Sequence, residues 1–267
     1  MEHKQFTLFL ILALLIVGVA IFAPWIAPKD PLEAVMLDSL KAPCKEYPLG
    51  TDKLGRDLLS RVIFGTRTSL VSTLILVAVI FVVGTVLGVL AGYFGGLVDE
   101  VIMRIADMMI SFPGLVLAIA IAGMLGPNLV NAVIAISAVS WTKYARLARS
   151  MVLKVKKSLF IEAAVVNGTK PLPILWKHVL PNMITQMVVT AAADIGTMML
   201  ELASLSFLGF GATAPTPEWG LMLNEGRTYM AKAPWLMIAP GIAIVIVVIV
   251  FNMLGDSIRD ILDPRNE

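Results

Sequence analysis

Three carboxylates stand inside, or at the edge of, long apolar stretches: Asp107, Asp194 and Glu201. Two of them belong to a pattern. Thr190, Asp194, Thr197, Glu201 and Ser204 are spaced 4, 3, 4 and 3, which places them on one face of a helix whose other faces are apolar. A carboxylate in hydrocarbon costs roughly 2.5 to 3.5 kcal/mol on insertion scales, so such a face looks into a cavity or a partner, not lipid. A translocation path lined by Thr190, Asp194, Thr197, Met198, Glu201 and Ser204 is expected, suited to a cation or cationic chelate. The competing reading is helix packing, and for Met198 and Met199 it is ordinary core filling.

Other chemistries are excluded. With His3 and His178 the only histidines and Cys44 the only cysteine, the chain has neither a Cys/His metal cage nor an internal disulfide framework. Neither histidine falls inside a span, so an intramembrane hydrolase lacks its nucleophile and base. No G-x-x-x-x-G-K-[ST] occurs, so no ATP-binding loop is present and the chain is not itself an enzyme. An ion-coupled carrier relaying protons through Asp107, Asp194 and Glu201 is a second class, but no obvious inverted repeat or pair of broken helices supports it.

The elements that must position these residues are membrane spans. Of the 267 residues 58% are hydrophobic and 15% charged, and the mean hydropathy is +0.87, which marks an all-α polytopic membrane protein. Six runs are candidates: residues 6–26, 70–92, 102–124, 128–144, 183–205 and 236–255. The first follows Lys4, but it is longer than a signal core and no A-x-A site follows, so a retained helix is expected. The fourth is short and continues through Thr142, Tyr144, Ala145 and Leu147 as a helix leaving the membrane. With six spans both termini share a side, which then holds twelve Lys/Arg against nine; the excess favours cytoplasmic termini. A net charge of +2 gives no footing for nucleic acid.

Residues 1–68 read as a first helix and a long extracytoplasmic loop, and 69–267 as a five-helix core. In the loop, Thr51 or Asp52 can cap an interfacial helix starting near Lys53, with Leu54, Leu58, Leu59 and Val62 on one face. Gly84, Gly88 and Gly92 clear one face of the second span for a neighbouring helix. Glycines and prolines in FLGFGATAPTPEWG forbid a regular helix there, and Pro264 stops the C-terminal tail.

The most distinctive stretch is the basic loop 142–182. Ser158 to Val166 favours a helix, Gly168 sits where a left-handed cap would end it, and Thr169 can start a second short helix that Pro181 stops. Such a hairpin either lies on anionic lipid or fits a groove in a soluble partner.

Glu162, Ala163, Ala164, Gly168, Ile174, Leu180 and Pro181 resemble the EAA loop of ABC importer permeases. The resemblance extends through LGTDKLGRDLLSR, the GG...D...MR..D...FP series from Gly95 to Pro113, SFLGFG, PTPEWG and GDSIRDILDPR. It covers nearly the whole chain and is similar to the C-type permease of peptide and nickel importers. The family implies a type I ABC importer permease fold, with the loop cytoplasmic and docked on an ATPase subunit. It also implies a heterodimer with a second permease, two ATPase subunits holding ATP and Mg, and an extracytoplasmic solute-binding protein. The setting implied is the cytoplasmic membrane of a bacterium or archaeon, in contact with lipid. Residues 194–220 look most like nickel-type members, through Asp194-Ile195-Gly196, the Met pair and Thr213-Ala214-Pro215. Nickel or another metal complex is therefore the expected solute, and a di- or oligopeptide the alternative. Lys170-Pro171-Leu172-Pro173 departs from the family pattern, which is mostly polar and free of proline there.

Overall fold

Long apolar runs without interior breakers can bury their backbone polar groups only as helices, and helices dominate the computed structural model, which describes residues 2–262. In chain order they are α1 (Glu2–Ile26), α2 (Leu58–Phe94), α3 (Gly96–Ile110), α4 (Gly114–Leu125), α5 (Leu129–Lys156), α6 (Leu159–Val166), α7 (Pro171–Ile174), α8 (Leu180–Phe207), α9 (Trp219–Gly226) and α10 (Trp235–Leu262). Among the described residues there is no strand, only one isolated bridge between Thr51 and Asp57. Pro264, expected to end the tail, lies outside the described residues.

Among the described residues four helical stretches are long and apolar enough to cross a membrane: Lys4–Ile26, Leu58–Phe94, Leu175–Phe207 and Trp235–Ile261. The expected third span, 102–124, is not one rod. Pro113 cannot donate a backbone hydrogen bond and disfavours a helical residue before it, and α3 and α4 meet there at 93°; counted as one span, the pair makes five. The expected fourth run opens α5, whose second half carries Lys143, Arg146, Arg149, Lys154 and Lys156.

The helix expected near Lys53 begins at Leu58 and continues unbroken into the second span. Asp52 caps a turn instead, its Oδ1 accepting from the N–H groups of Leu54 and Arg56 at 2.8 and 3.0 Å. Asp57 takes the helix start, accepting from Ser60 N–H at 2.8 Å. At 1.5 Å per residue the 37 residues of α2 reach about 55 Å, well beyond the roughly 30 Å of a hydrocarbon core. Its first turns carry the polar residues Ser60, Arg61, Thr66, Ser69, Ser72 and Thr73, all buried in protein.

The chain divides into two compact units. The first comprises Met1–Leu76, Ile119–Ala135 and Ala192–Glu267. Its core joins Ala13 and Ala20 of α1, Leu58 and Leu70 of α2, Met199 and Ala203 of α8, Trp219 and Met222 of α9, and Ile244 to Leu254 of α10. The second comprises Val77–Ala118 and Ile136–Ala191. In it, the glycine face of α2 receives α5: a methyl at Gly84, Gly88 or Gly92 would come within 3 Å of the Trp141 carbonyl, the Ala145 carbonyl or the Val152 side chain respectively. Close approach is thus the reason for the three glycines.

Candidate functional site

In the second unit α6 ends as expected. Gly168 adopts φ +77°, a left-handed conformation that costs an L-residue roughly 1–2 kcal/mol. Thr169 N–H donates to the Ala164 carbonyl at 3.0 Å, the six-to-one bond of a Schellman cap. The second arm opens with Ile174 N–H bonding the Lys170 carbonyl at 3.3 Å, runs through α7 and passes into a π-helical turn, Leu175–Val179. Pro181 does not stop it: α8 begins at Leu180 and carries on to Phe207. Proline lacks a donor and needs room for its ring, and the wide π turn before it supplies that room.

The two arms touch through Phe160 and His178, whose ring centroids lie 6.2 Å apart, while Ile161, Ile174 and Val179 are buried. Other large apolar side chains face outward: Leu159 is 82% exposed, Val166 87% and Trp176 65%. Of the sequence-expected coupling residues, Ala164, Gly168, Ile174, Leu180 and Pro181 lie on this hairpin or its exit. The side chains of Glu162, Ala163, Pro171 and Leu172 lie outside the described residues.

The expected stripe on α8 has no single environment. Asp194 and Met198 are buried, Thr190, Glu201 and Ser204 half-buried, and Thr197 exposed. The hydroxyls of Thr190 and Ser204 are satisfied by the carbonyls one turn back, Gln186 at 2.9 Å and Leu200 at 2.6 Å. Met199 packs in the core of the first unit, as the packing reading requires. Among the described residues no group of three or more His, Cys, Asp or Glu is placed to hold a metal ion.

One assembly in the first unit was not foreseen. Arg56 and Arg61, each 1% exposed, share two carboxylates. Asp52 accepts from Arg56 Nε at 2.6 Å and lies 3.6 Å from Arg61 Nη1. Glu225, at the end of α9, accepts from Arg61 at 3.0 Å and Arg56 at 3.4 Å, with Lys53 at 4.0 Å. At the start of α9 Glu218, 1% exposed, caps the helix by accepting from Gly220 and Leu221 N–H at 2.9 and 2.8 Å and from the Ser69 hydroxyl at 3.3 Å. Burial pushes the Glu218 carboxyl above its ordinary range, and the bonds it accepts oppose this without cancelling it. Trp219 Nε1 donates to the Val62 carbonyl at 3.0 Å. Asp52, Arg56 and Arg61 belong to LGTDKLGRDLLSR and Glu218 to PTPEWG, but Glu225 stands 169 and 164 residues from the two arginines, and no local periodicity joins them.

Comparison with known proteins agrees on one family. The model described as "Binding-protein-dependent transport system inner membrane component" matches residues 84–267. A dipeptide transport system permease protein of Alkalihalophilus pseudofirmus, DppC, is 44% identical over 247 residues, covering 92% of this chain and 81% of the relative. A glutathione transport system permease protein of Pectobacterium atrosepticum, GsiD, is 43% identical over 253 residues, covering 94% and 84%. Among solved structures, the inward-facing MetNI methionine ABC transporter superposes with a TM-score of 0.60 at 20% identity, covering 75% of this chain and 95% of that one. That likeness shows the fold, a type I ABC importer permease. With its apolar spans and these matches, the chain belongs to the family of binding-protein-dependent transport system inner membrane components, as a multi-pass permease.

Proposed function

We propose that this permease forms half of the path of an ATP-driven importer for di- or oligopeptides, glutathione-like peptides included, in the cytoplasmic membrane. Its partners are a second permease, two ATPase subunits and an extracytoplasmic binding protein. The observation that carries the coupling half is the hairpin of α6 and α7, with Leu159, Val166 and Trp176 turned outward around the left-handed Gly168. Exposed apolar side chains on a short capped hairpin fit a groove in a soluble partner. ATP and Mg belong to that partner, and the hairpin delivers its movement to α5 and α8. With the bent α3–α4 pair as one span and α5 as another, the spans number six, so both termini and residues 142–182 are cytoplasmic and the cap built on Arg56 and Arg61 faces outward.

The names of the relatives support peptide over nickel or another metal complex. So does the burial of Met198 and Met199, which the packing reading explains without a metal. In this reading Glu201, half-buried, lines the path and orients a peptide's ammonium group, while Asp194 is buried inside the chain.

The test is the reconstituted complex. Gly168→Val forces a branched residue into a left-handed conformation and abolishes ATP-dependent uptake of a labelled dipeptide and binding-protein-stimulated ATP hydrolysis, while the permease still inserts. Normal coupled turnover in that variant sinks the coupling reading. ATP-dependent uptake of labelled nickel in place of the dipeptide sinks the peptide reading.

A further inference from the structure

Helix α3 lies between a glycine pair and a proline break. At its start, Gly95 and Gly96 both have positive φ, 66° and 53°, nothing would meet a Cβ within 4 Å at either, and no side chain caps the helix. At its end the chain breaks at Ser111 to Pro113 and turns by 93° into α4. Between these two ends, the placement of α3 against its neighbours rests on side-chain contacts.

Two ion pairs fix α3 to α5, and a third contact ties the end of α5 to the last turn of α2; the three run in opposite senses along the two segments. Lys156, the last residue of α5, donates to the Tyr93 carbonyl at 2.8 Å and sits 5.4 Å from the Tyr93 ring centre, just before α3. Arg149 then grips Asp99 with two parallel bonds, Nε to Oδ1 at 2.5 Å and Nη2 to Oδ2 at 2.6 Å. Arg146 reaches Asp107 at 2.5 Å. Below them Ile102, Met103 and Ala106 of α3 pack on Trp141 and Ala145 of α5 and on Leu87 of α2. The same stretch of α5 lies in the glycine face of α2. Of the ion pairs, Asp99 with Arg149 is the least exposed, at 20% and 34%, against 65% and 47% for Asp107 with Arg146. It is also the two-pronged one, and a planar fork fixes orientation as well as distance.

We infer that Asp99 and Arg149 are positioning residues for transport: they fasten α3 to α5, so that a displacement entering α5 from the coupling hairpin carries α3 with it. This rests on the hairpin being the ATPase contact. Only Lys157 and Ser158 separate Lys156 from α6, so the clasps begin where the hairpin's movement enters the helix. A pair serving stability alone would need no alignment with that entry point, and its loss would lower assembly and every activity together.

The experiment uses the complex with its ATPase subunits and binding protein in proteoliposomes. Asp99→Asn and Arg149→Lys each lower ATP-dependent dipeptide uptake by about tenfold, the scale of losing a charged hydrogen bond. ATPase co-purification and ATP hydrolysis stay at the level of the unaltered complex. Asp99→Glu retains most uptake, and the exchange Asp99→Arg with Arg149→Asp restores part of what either single change loses. Spin labels at Met108→Cys and Lys154→Cys, on a Cys44→Ser background, keep one mutual distance with and without trapped nucleotide, and Asp99→Asn makes that distance nucleotide-dependent. Undiminished uptake in Asp99→Asn overturns the inference, as does a parallel fall of uptake, hydrolysis and complex yield. If Gly168→Val uncouples while Asp99→Asn transports normally, the assignment of this pair alone fails. If Gly168→Val couples normally, the reading beneath it has failed.

Discussion

From Lys29 to Arg61 and again from Glu218 to Glu225, charge after charge is answered within the chain, whereas from Leu159 to Val179 large apolar side chains are left facing outward. In the first region two buried arginines are paired with buried Asp52 and half-buried Glu225, Glu218 caps a helix, and a tryptophan closes the space over Gly65. Even its rim is paired: Lys41 and the Tyr47 hydroxyl both donate to Asp38, at 2.5 and 2.6 Å, and hold that carboxyl below its ordinary range. The second region has a glycine cap, a ring contact and three buried aliphatic side chains. One region is finished by folding, and the other, in the proposed function, is finished by binding. Buried charges are tolerated where every partner comes from the same chain, and exposed apolar groups where a partner supplies the missing surface.

The comparison can be broken at its strongest point first. Glu225→Ala leaves Arg56 and Arg61 buried with Asp52 alone, and a loss of about 3–5 kcal/mol follows from stranding buried charge, read as a lower unfolding temperature in detergent. If the loss is as small as for a surface ion pair, the cap is not held by its charges.

A smaller effect sharpens the account of Glu218. Its pKa is raised in the fold, so the stabilisation it gives is complete below the ordinary carboxylate pKa and is lost as pH rises through the raised value. Unfolding temperature should fall across that window, and Glu218→Gln should flatten the fall. An equal pH dependence in the variant would place the titration elsewhere.

The smallest stability effect is expected in the hairpin. Leu159→Ser with Trp176→Ser changes unfolding by no more than about 0.5 kcal/mol, as exposed positions do, yet weakens co-purification of the ATPase subunits. A large destabilisation would mean the hairpin is finished by folding after all, and the contrast would disappear.

Legibility in the sequence follows the same division. Local geometry could be read: the glycine face of α2 and the left-handed cap at Gly168 depend on spacing within a few turns. The stripe on α8 was legible as a periodicity, but burial depends on neighbours, so Asp194 and Thr197 end in different surroundings. The helix expected near Lys53 starts later because Asp52 can cap a turn as well as a helix, and here its carboxylate caps the turn and also holds the Arg56 guanidinium. The pairing of Arg61 with Glu225 spans 164 residues and leaves no periodic trace. Pro113 was visible, but how far the chain would turn at a proline in an otherwise apolar run was not.

The cap also contains Cys44, exposed to solvent and the only thiol in the chain. A single accessible sulfur in the loop between α1 and α2 makes the unaltered protein its own compass: a charged maleimide that cannot pass the bilayer reads, from one side at a time, which way the permease stands in its membrane.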